Sequence, residues 1–553
     1  MNTQTSAEKH NTTENTTDYL IVGAGSAGCV LANRLSASGK HRVTLLEAGG
    51  SDKSFWIKVP IGYGRTFFDP KVNWKYETEP DPALQNRSSY WPRGKVLGGS
   101  SSINAMVYIR GHRRDFDDWA EKGNAGWDYE SVLPYFVKAE DSEFPDSKFH
   151  RKGGQMHVSR IDDRVHPLCN TYLDAARQYG LPVTKDFNGA DMEGAGIYSI
   201  TTKNGVREST ASAYLDPARR HKNLNIITRA HVEKILIDEN KRATGVSYIR
   251  DGKLVVLHAT QEIIVCAGSV NSPQLLELSG IGDEQVLSNA GIQPVHVNPN
   301  VGQHLQDHLG INYVYRSKVP TLNDELHSWF GKAKAGIRYL LTRKGHLSMS
   351  VNQSGGFVRS TPDKPHPNLQ LYFAALSYNT ATSGTRPLMN PDPYSAYILS
   401  FQPCRPTSRG SIHIKSADAM QPPVITPNYL STNEDISEIV EGCHLMRELV
   451  KTPALAEITE SELEPGDSVQ TDEQLLDDFR ARSGTVFHPI GTCTMGPDPT
   501  TAVVDPELKV YGIKDLRVAD ASVFPNLTSG NTNAPTIMVA EKAADLILAA
   551  SRE

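Results

Sequence analysis

Gly23, Gly25 and Gly28, followed nineteen residues later by Glu47, are the first residues in the chain whose types and spacing define a chemistry. They stand between a short apolar run, Tyr19 to Val22, and a segment with helical spacing of Val30, Leu31 and Leu35. Strand, tight turn and helix in that order form the pyrophosphate cradle of a βαβ unit: the first glycine permits the turn, the second lets the backbone approach the phosphates, and the third lets helix and strand pack. Ser26 and Ala27 fall at the helix N-terminus, where unpaired N–H groups face the phosphate charge. A second apolar run, Val43 to Leu46, carries Glu47 to the place of the acidic ribose ligand, where it would hold the ribose hydroxyls and repel a 2′-phosphate. NAD and FAD present the same ADP moiety to such a unit, so this motif leaves the two open.

Three other groupings invite chemistry and are read otherwise. His304 and His308 stand four apart in VGQHLQDHLG, but no H-E-x-x-H acid accompanies them, and a structural role is expected. Ser100 to Ser102 lack the G-x-S-x-G context of a nucleophile; beside Gly98-Gly99 they suit close backbone approach to a flat ligand. Six cysteines are scattered without C-x-x-C or C-x-x-H spacing, so reduced, mostly buried thiols and no metal site are expected.

Length and composition limit the setting. At 553 residues the chain exceeds what one hydrophobic core serves, and two or more structural units are expected. A composition of 39% hydrophobic and 22% charged residues is that of a globular protein, and a net charge of −6 with no basic block excludes a nucleic-acid partner. The first seventeen residues lack the basic start and apolar centre of a signal peptide, which favours a cytoplasmic location. No apolar run reaches the roughly 18 residues that a membrane span needs. Peripheral contact at the inner face of the cell membrane is left open.

The elements that must position these residues follow the hydrophobic periodicity. Phe55 to Tyr90 reads as extended chain over a ligand, ending in the turn Trp91-Pro92-Arg93-Gly94. Residues 128–136 and 167–179 have helical spacing, and 185–196 is loop-like. Residues 224–265 alternate like strands, with Asp251-Gly252 as a hairpin signal, and the last of them runs through Ala267-Gly268-Ser269 into a helix entered at Ser272-Pro273. Trp329 to Leu341 is an amphipathic helix with Phe330, Ala333, Ile337, Leu340 and Leu341 at helical spacing. Its Lys332, Lys334, Arg338, Arg343 and Lys344 are read as a solvated polar face, with contact to anionic lipid as the second reading.

Four stretches together carry a resemblance: Gly94 through Asp117 with Gly98-Gly99-Ser100-Ser101 and Asn104; GSVNSPQLLELSGIG from Gly268 to Gly282; HPIGTCTMG; and VADAS. On them the chain resembles the glucose-methanol-choline oxidoreductase family of FAD enzymes that oxidise alcohols. It looks most like the acceptor-dependent, quinone-linked aliphatic alcohol dehydrogenases and the choline dehydrogenases. The resemblance implies an α/β fold, α+β overall. After a flexible tail (1–17) come a Rossmann-like FAD-binding region over 18–310, a mixed-sheet substrate-binding region over 311–481, and a C-terminal segment, 482–553, that returns to the FAD domain with catalytic residues. It places ADP contacts on Gly23, Gly25, Gly28 and Glu47 and an adenine-side backbone contact on Val232. Flavin contacts fall near Gly99, Asn104, Asp520, Ala521 and Asn533. Some relatives tether FAD through a histidine at the place held here by Ile103, so non-covalent FAD is implied.

The family's base falls on His488 and its partner on Asn531. Imidazole suits removal of a hydroxyl proton at neutral pH, and Asn531 would orient the substrate oxygen. Choline-oxidising relatives carry a glutamate where VNQSGGF has Gln353; a neutral amide supplies no Coulomb attraction for a trimethylammonium. An uncharged primary alcohol is therefore expected, in a pocket passage containing Tyr372, Phe373 and Leu376. Electrons would pass to a quinone or another acceptor. A choline dehydrogenase or an oxygen-using alcohol oxidase of the same family is the nearest alternative. An FAD-containing hydroxynitrile lyase is the alternative of another class, and an NAD dehydrogenase rests on the first motif alone.

Overall fold

The computed structural model describes residues 16–378 and 390–551. Its first sheet is built from β1 (Thr16–Val22), β2 (Val43–Glu47), β3 (Leu224–Thr228), β4 (His231–Ile237), β5 (Ala243–Arg250) and β6 (Lys253–Val265), in the order β3-β2-β1-β6-β5-β4. Leu516–Val518 adds a seventh strand, parallel to the end of β6. Pairing is parallel from β3 through β6, and Val22 lies opposite both Leu46 and Val265. Leu20 to Val22 and all of β2 are buried, as expected of parallel strands covered on both faces. Because β2 flanks β1 on one side and β6 on the other, the carboxyl ends of β1 and β6 meet at a point where the winding reverses, which is where open α/β sheets leave a ligand crevice. The hairpin at Asp251-Gly252 joins β5 and β6 as expected, with both residues left-handed at φ +50° and +74°.

Helix α1 (Ser26–Ser36) follows β1, and α2 (Gly268–Leu278) follows β6. The helix expected to open at Ser272-Pro273 opens four residues earlier, leaving Pro273 inside it. Proline frees the carbonyl of Ser269 one turn back, and the Thr492 hydroxyl donates to that carbonyl at 2.6 Å. Ser269 in turn donates to the Pro489 carbonyl at 2.7 Å, so α2 holds the loop that contains His488.

The second sheet contains β7 (Leu309–Ser317), β8 (Ser354–Val358), β9 (Leu369–Ala374), β10 (Ala396–Pro403) and β11 (Thr459–Glu464). Its order is β11-β7-β10-β9-β8, extended by Gly194–Ile197 beyond β8 and by Gly484–Thr485 on β7, and every one of these pairs is antiparallel. Gly194–Ile197, within a stretch that reads as loop, is thus an edge strand of this sheet, while Leu516–Val518 returns the chain to the first. The amphipathic helix is present as α3 (Trp329–Thr342), with its large apolar side chains on the solvent side.

Candidate active site

One cavity of about 760 Å3 runs between the carboxyl ends of β1 and β6 and the second sheet. At its nucleotide end, Gly23 has φ +98°, and a Cβ there would lie 2.5 Å from the Cys266 carbonyl oxygen of the adjacent chain. A Cβ on Gly28 would lie 1.8 Å from the Gly23 carbonyl oxygen, so this glycine lets α1 pack onto the turn and does not itself line the cavity. Gly25 differs. Nothing of the protein comes closer to its Cβ position than the Cys266 carbonyl at 3.8 Å, and the space beside it is the cradle a pyrophosphate needs. Ser26 and Ala27 line the same wall.

Glu47 accepts from the Ala24 N–H at 2.9 Å and the Gly49 N–H at 2.8 Å. Each carboxylate oxygen keeps a lone pair for a ribose hydroxyl. Burial pushes this carboxyl up to about 7, against the pull of the two amides and Lys95. Asp520 ties the second βα turn to the C-terminal segment: it accepts from Gly268 N–H (2.8 Å), Ser272 Oγ (2.6 Å) and Ser522 N–H (2.8 Å). Asn533 accepts from Ser26 Oγ at 2.7 Å, and Asn104 accepts from Met106 N–H and from Arg207 at 2.9 Å. Gly99, Val232, Ala521 and Ile103 also line the cavity, and the aromatic passage between residues 55 and 90 contributes Tyr63, Phe67, Phe68 and Trp74. The backbone cradle and the buried acid fit an adenine dinucleotide. Gly23, Gly25, Ser26, Ala27, Glu47 and Val232 would hold its ADP half; Gly99, Asn104, Asp520, Ala521 and Asn533 would hold the rest.

At the other end stands His488, buried, with its backbone N–H on Asp307 Oδ1 at 2.7 Å. Phe487 before it has φ +68°, a left-handed conformation costing a bulky residue about 1–3 kcal/mol. Thr485 accepts from its N–H at 2.8 Å, and Arg93 donates to its carbonyl at 2.8 Å. Asp307 also accepts from Tyr429 Oη at 2.6 Å and Thr485 Oγ1 at 2.5 Å, and burial raises its carboxyl to about 6.

The proton positions on the two imidazoles follow from their partners. His308 Nε2 lies 2.8 Å from the Cys404 carbonyl, which can only accept, so Nε2 carries hydrogen. Burial lowers the His308 pKa to about 4 and keeps the ring neutral, so its Nδ1 is an acceptor. His488 Nδ1, 2.9 Å away, must then be the donor, which leaves the lone pair on His488 Nε2. Burial, His308 and Arg93 together hold the His488 pKa well below the usual histidine range. Its Nε2 faces Asn531 Nδ2 at 3.1 Å. Asn531 and Tyr372 both line the cavity, while Asn531 Oδ1 and the Tyr372 hydroxyl are buried without a hydrogen-bond partner among the described residues.

Two expectations are corrected. Gln353 does not reach the cavity: its Oε1 accepts from the His166 N–H at 2.8 Å and faces Cys169, while its neighbour Asn352 lines the wall. Adjacent residues entering a strand point to opposite sides, and the motif does not say which points inward. Of Tyr372, Phe373 and Leu376, only Tyr372 reaches the cavity. Phe373 stacks on Tyr172 at 5.2 Å on the other face of β9, and Leu376 packs with Ala335 of α3. Conversely, His308, expected to be structural, touches His488, its partner 180 residues away. The signal that could have found it was the polar pair Asp307-His308 placed directly before a buried strand.

Two sequence profiles described as GMC oxidoreductase match the chain, one over residues 17–310 and one over 406–540. An alcohol dehydrogenase [acceptor] of Pseudomonas putida is 43% identical over 96% of this chain and 95% of its own. An oxygen-dependent choline dehydrogenase of Vibrio vulnificus is 44% identical over 96% and 94%. Among solved structures, a variant of Aspergillus oryzae RIB40 formate oxidase made to follow FAD modification superposes with a TM-score of 0.89 at 27% identity, covering 97% of this chain and 99% of its own.

Proposed function

The chain belongs to the GMC oxidoreductase family, an enzyme family whose cofactor is FAD, and on that premise we propose that it oxidises an uncharged primary alcohol to the aldehyde. The observation that carries this reading is the neutral His488, its lone pair on Nε2 beside the Asn531 amide at the wall of the cavity. FAD, when bound, supplies the hydride acceptor. A substrate hydroxyl entering between His488 and Asn531 exchanges their mutual bond for two of its own: it donates to Nε2 and accepts from Asn531 Nδ2. His488 takes the hydroxyl proton as hydride leaves the carbon, and Asn531 holds the oxygen where negative charge develops. The bond from His488 Nδ1–H to His308 persists when the ring is protonated, so the relay needs no rearrangement to accept the proton.

An uncharged substrate fits the lining near His488, where Tyr63, Phe67, Phe68, Met106, Phe487 and Tyr372 supply apolar and aromatic surface. With Gln353 outside the cavity, the preference rests on that lining. Electrons pass on to a quinone or another acceptor, a reading supported by the acceptor-linked name of the Pseudomonas relative. FAD is held without a covalent bond, since Ile103 offers no atom for attachment; acid precipitation then leaves the protein colourless and the supernatant yellow. The test of the reaction is anaerobic mixing of the holoenzyme with a neutral primary alcohol and, separately, with choline. Rapid bleaching by the neutral alcohol is expected. Bleaching by choline at least about tenfold faster would assign the site to choline, and none with either would favour a lyase.

A further inference from the structure

Helix α3 joins the body of the molecule through Gly331, Ala335 and Tyr339, buried residues spaced by four, and the Tyr339 hydroxyl donates to the Gly205 carbonyl at 3.0 Å. At about 100° per residue this ridge occupies one side of the helix, and the opposite side carries Trp329, Phe330, Ile337, Leu340 and Leu341. Their exposures are 83, 74, 59, 56 and 80%. Five of the eleven large exposed hydrophobics among the described residues therefore share one helix face, whereas apolar residues on a free surface are scattered singly.

Charge identifies what covers this face. Lys334 and Arg338 border it on one side and Lys332 on the other, with Arg343 and Lys344 at the end of the helix; from His327 to Gly345 there is no carboxylate, in a chain of net charge −6. Glu325, the nearest acid in sequence, pairs with His346 at 3.3 Å. A second copy seated on the same face would set these cations against their own equivalents. An anionic lipid surface matches both parts of the pattern. We propose that α3 is an in-plane docking helix for anionic membranes. Its apolar face enters the boundary between headgroups and acyl chains, and its lysines and arginines extend to the phosphates. Ala335 on the inner side of α3 packs in a cluster with Tyr378, which lines the cavity, so docking brings that wall of the cavity toward the lipid. Delivery of an apolar alcohol from the bilayer follows only if the proposed reaction is right; the docking does not depend on it.

The test is flotation of the FAD-loaded enzyme with phosphatidylcholine vesicles and with vesicles that also contain phosphatidylglycerol. Binding to the anionic vesicles, weakened by salt, is expected. The triple variant Trp329→Ser, Leu340→Ser, Leu341→Ser should lose at least about tenfold in vesicle affinity and keep its flavin content and turnover of a water-soluble alcohol. In the unchanged chain, brominated lipid should quench part of the tryptophan emission, a readout that needs no variant. No flotation of the wild type with anionic vesicles, a triple variant that floats as well as the wild type, or no quenching would each overturn the proposal. So would a dimer that the triple substitution dissolves while vesicle binding is absent. A protein that floats but oxidises no alcohol would refute the proposed reaction and leave the docking helix standing.

Discussion

The two ends of the cavity are built differently. The ADP part of the nucleotide end takes most of its residues from one stretch, Gly23 to Glu47, with Val232 beside it, and its work is done by backbone geometry and by a carboxylate already held by two amides. The catalytic end gathers single groups from five distant places: the side chains of Asp307 and His308 before β7, of Tyr372 on β9, of His488 and of Asn531, and the Cys404 backbone carbonyl after β10. Contiguous backbone makes a binding site that few side-chain changes can alter. Assembled side chains make a reactive site in which one substitution removes a function and leaves the fold. Changes at the first end should therefore move cofactor retention, and changes at the second should move rate.

The largest effect should come from His488→Ala, a loss of at least about a hundredfold in the rate of flavin reduction, the lower range for a missing proton acceptor, with normal flavin content. Loss of flavin in parallel with rate would break the division between the two ends. Next is Glu47→Gln, which removes charge-assisted bonds worth about 1.5–3 kcal/mol each to ribose hydroxyls. FAD affinity should fall at least about tenfold, and saturating FAD should restore turnover. Ribose hydroxyls bond better to the ionised carboxylate, and in the cofactor-free chain this carboxyl sits at about 7. Wild-type FAD affinity should therefore weaken as pH falls through 7, and the Gln variant should lack that slope; titration of FAD by fluorescence quenching checks both.

A smaller effect is expected for His308→Leu. It leaves the His488 Nδ1–H buried without an acceptor, a penalty of about 1–3 kcal/mol, and frees the ring to hold its proton on Nε2. Flavin reduction should slow about tenfold with a changed pH profile. His308→Gln, whose amide oxygen can accept from Nδ1–H, should regain most of the rate; no rescue by Gln would mean that His308 serves packing alone.

How far the sequence could be read follows the same division. Gly23 to Glu47 was legible because its signal is local: strand, turn, helix and acid lie in chain order. Asp251-Gly252 was legible for the same reason. His488 stood out only through its motif, since one histidine among eighteen carries no spacing signal. The i,i+4 spacing of His304 and His308 suggests only a metal pair, while the true neighbour of His308 is brought near by the packing of β7 against the C-terminal segment. Gln353 failed by one residue, as strand parity allows, and the stripe on α3 was visible as a pattern although periodicity cannot say which side of a helix meets the protein.

The central claim is that His488 is held neutral, with its lone pair on Nε2, before substrate arrives. Rates of anaerobic flavin reduction by saturating alcohol, followed across pH in the wild type, test it most directly. A base acts in its neutral form, and burial with two neighbouring cationic or titratable groups holds this one well below the usual pKa of 6.5. The rate should therefore stay level as pH falls through 6.5 and drop only well below it. A fall centred at or above 6.5 would show that the imidazole gains its proton too readily and would contradict the account.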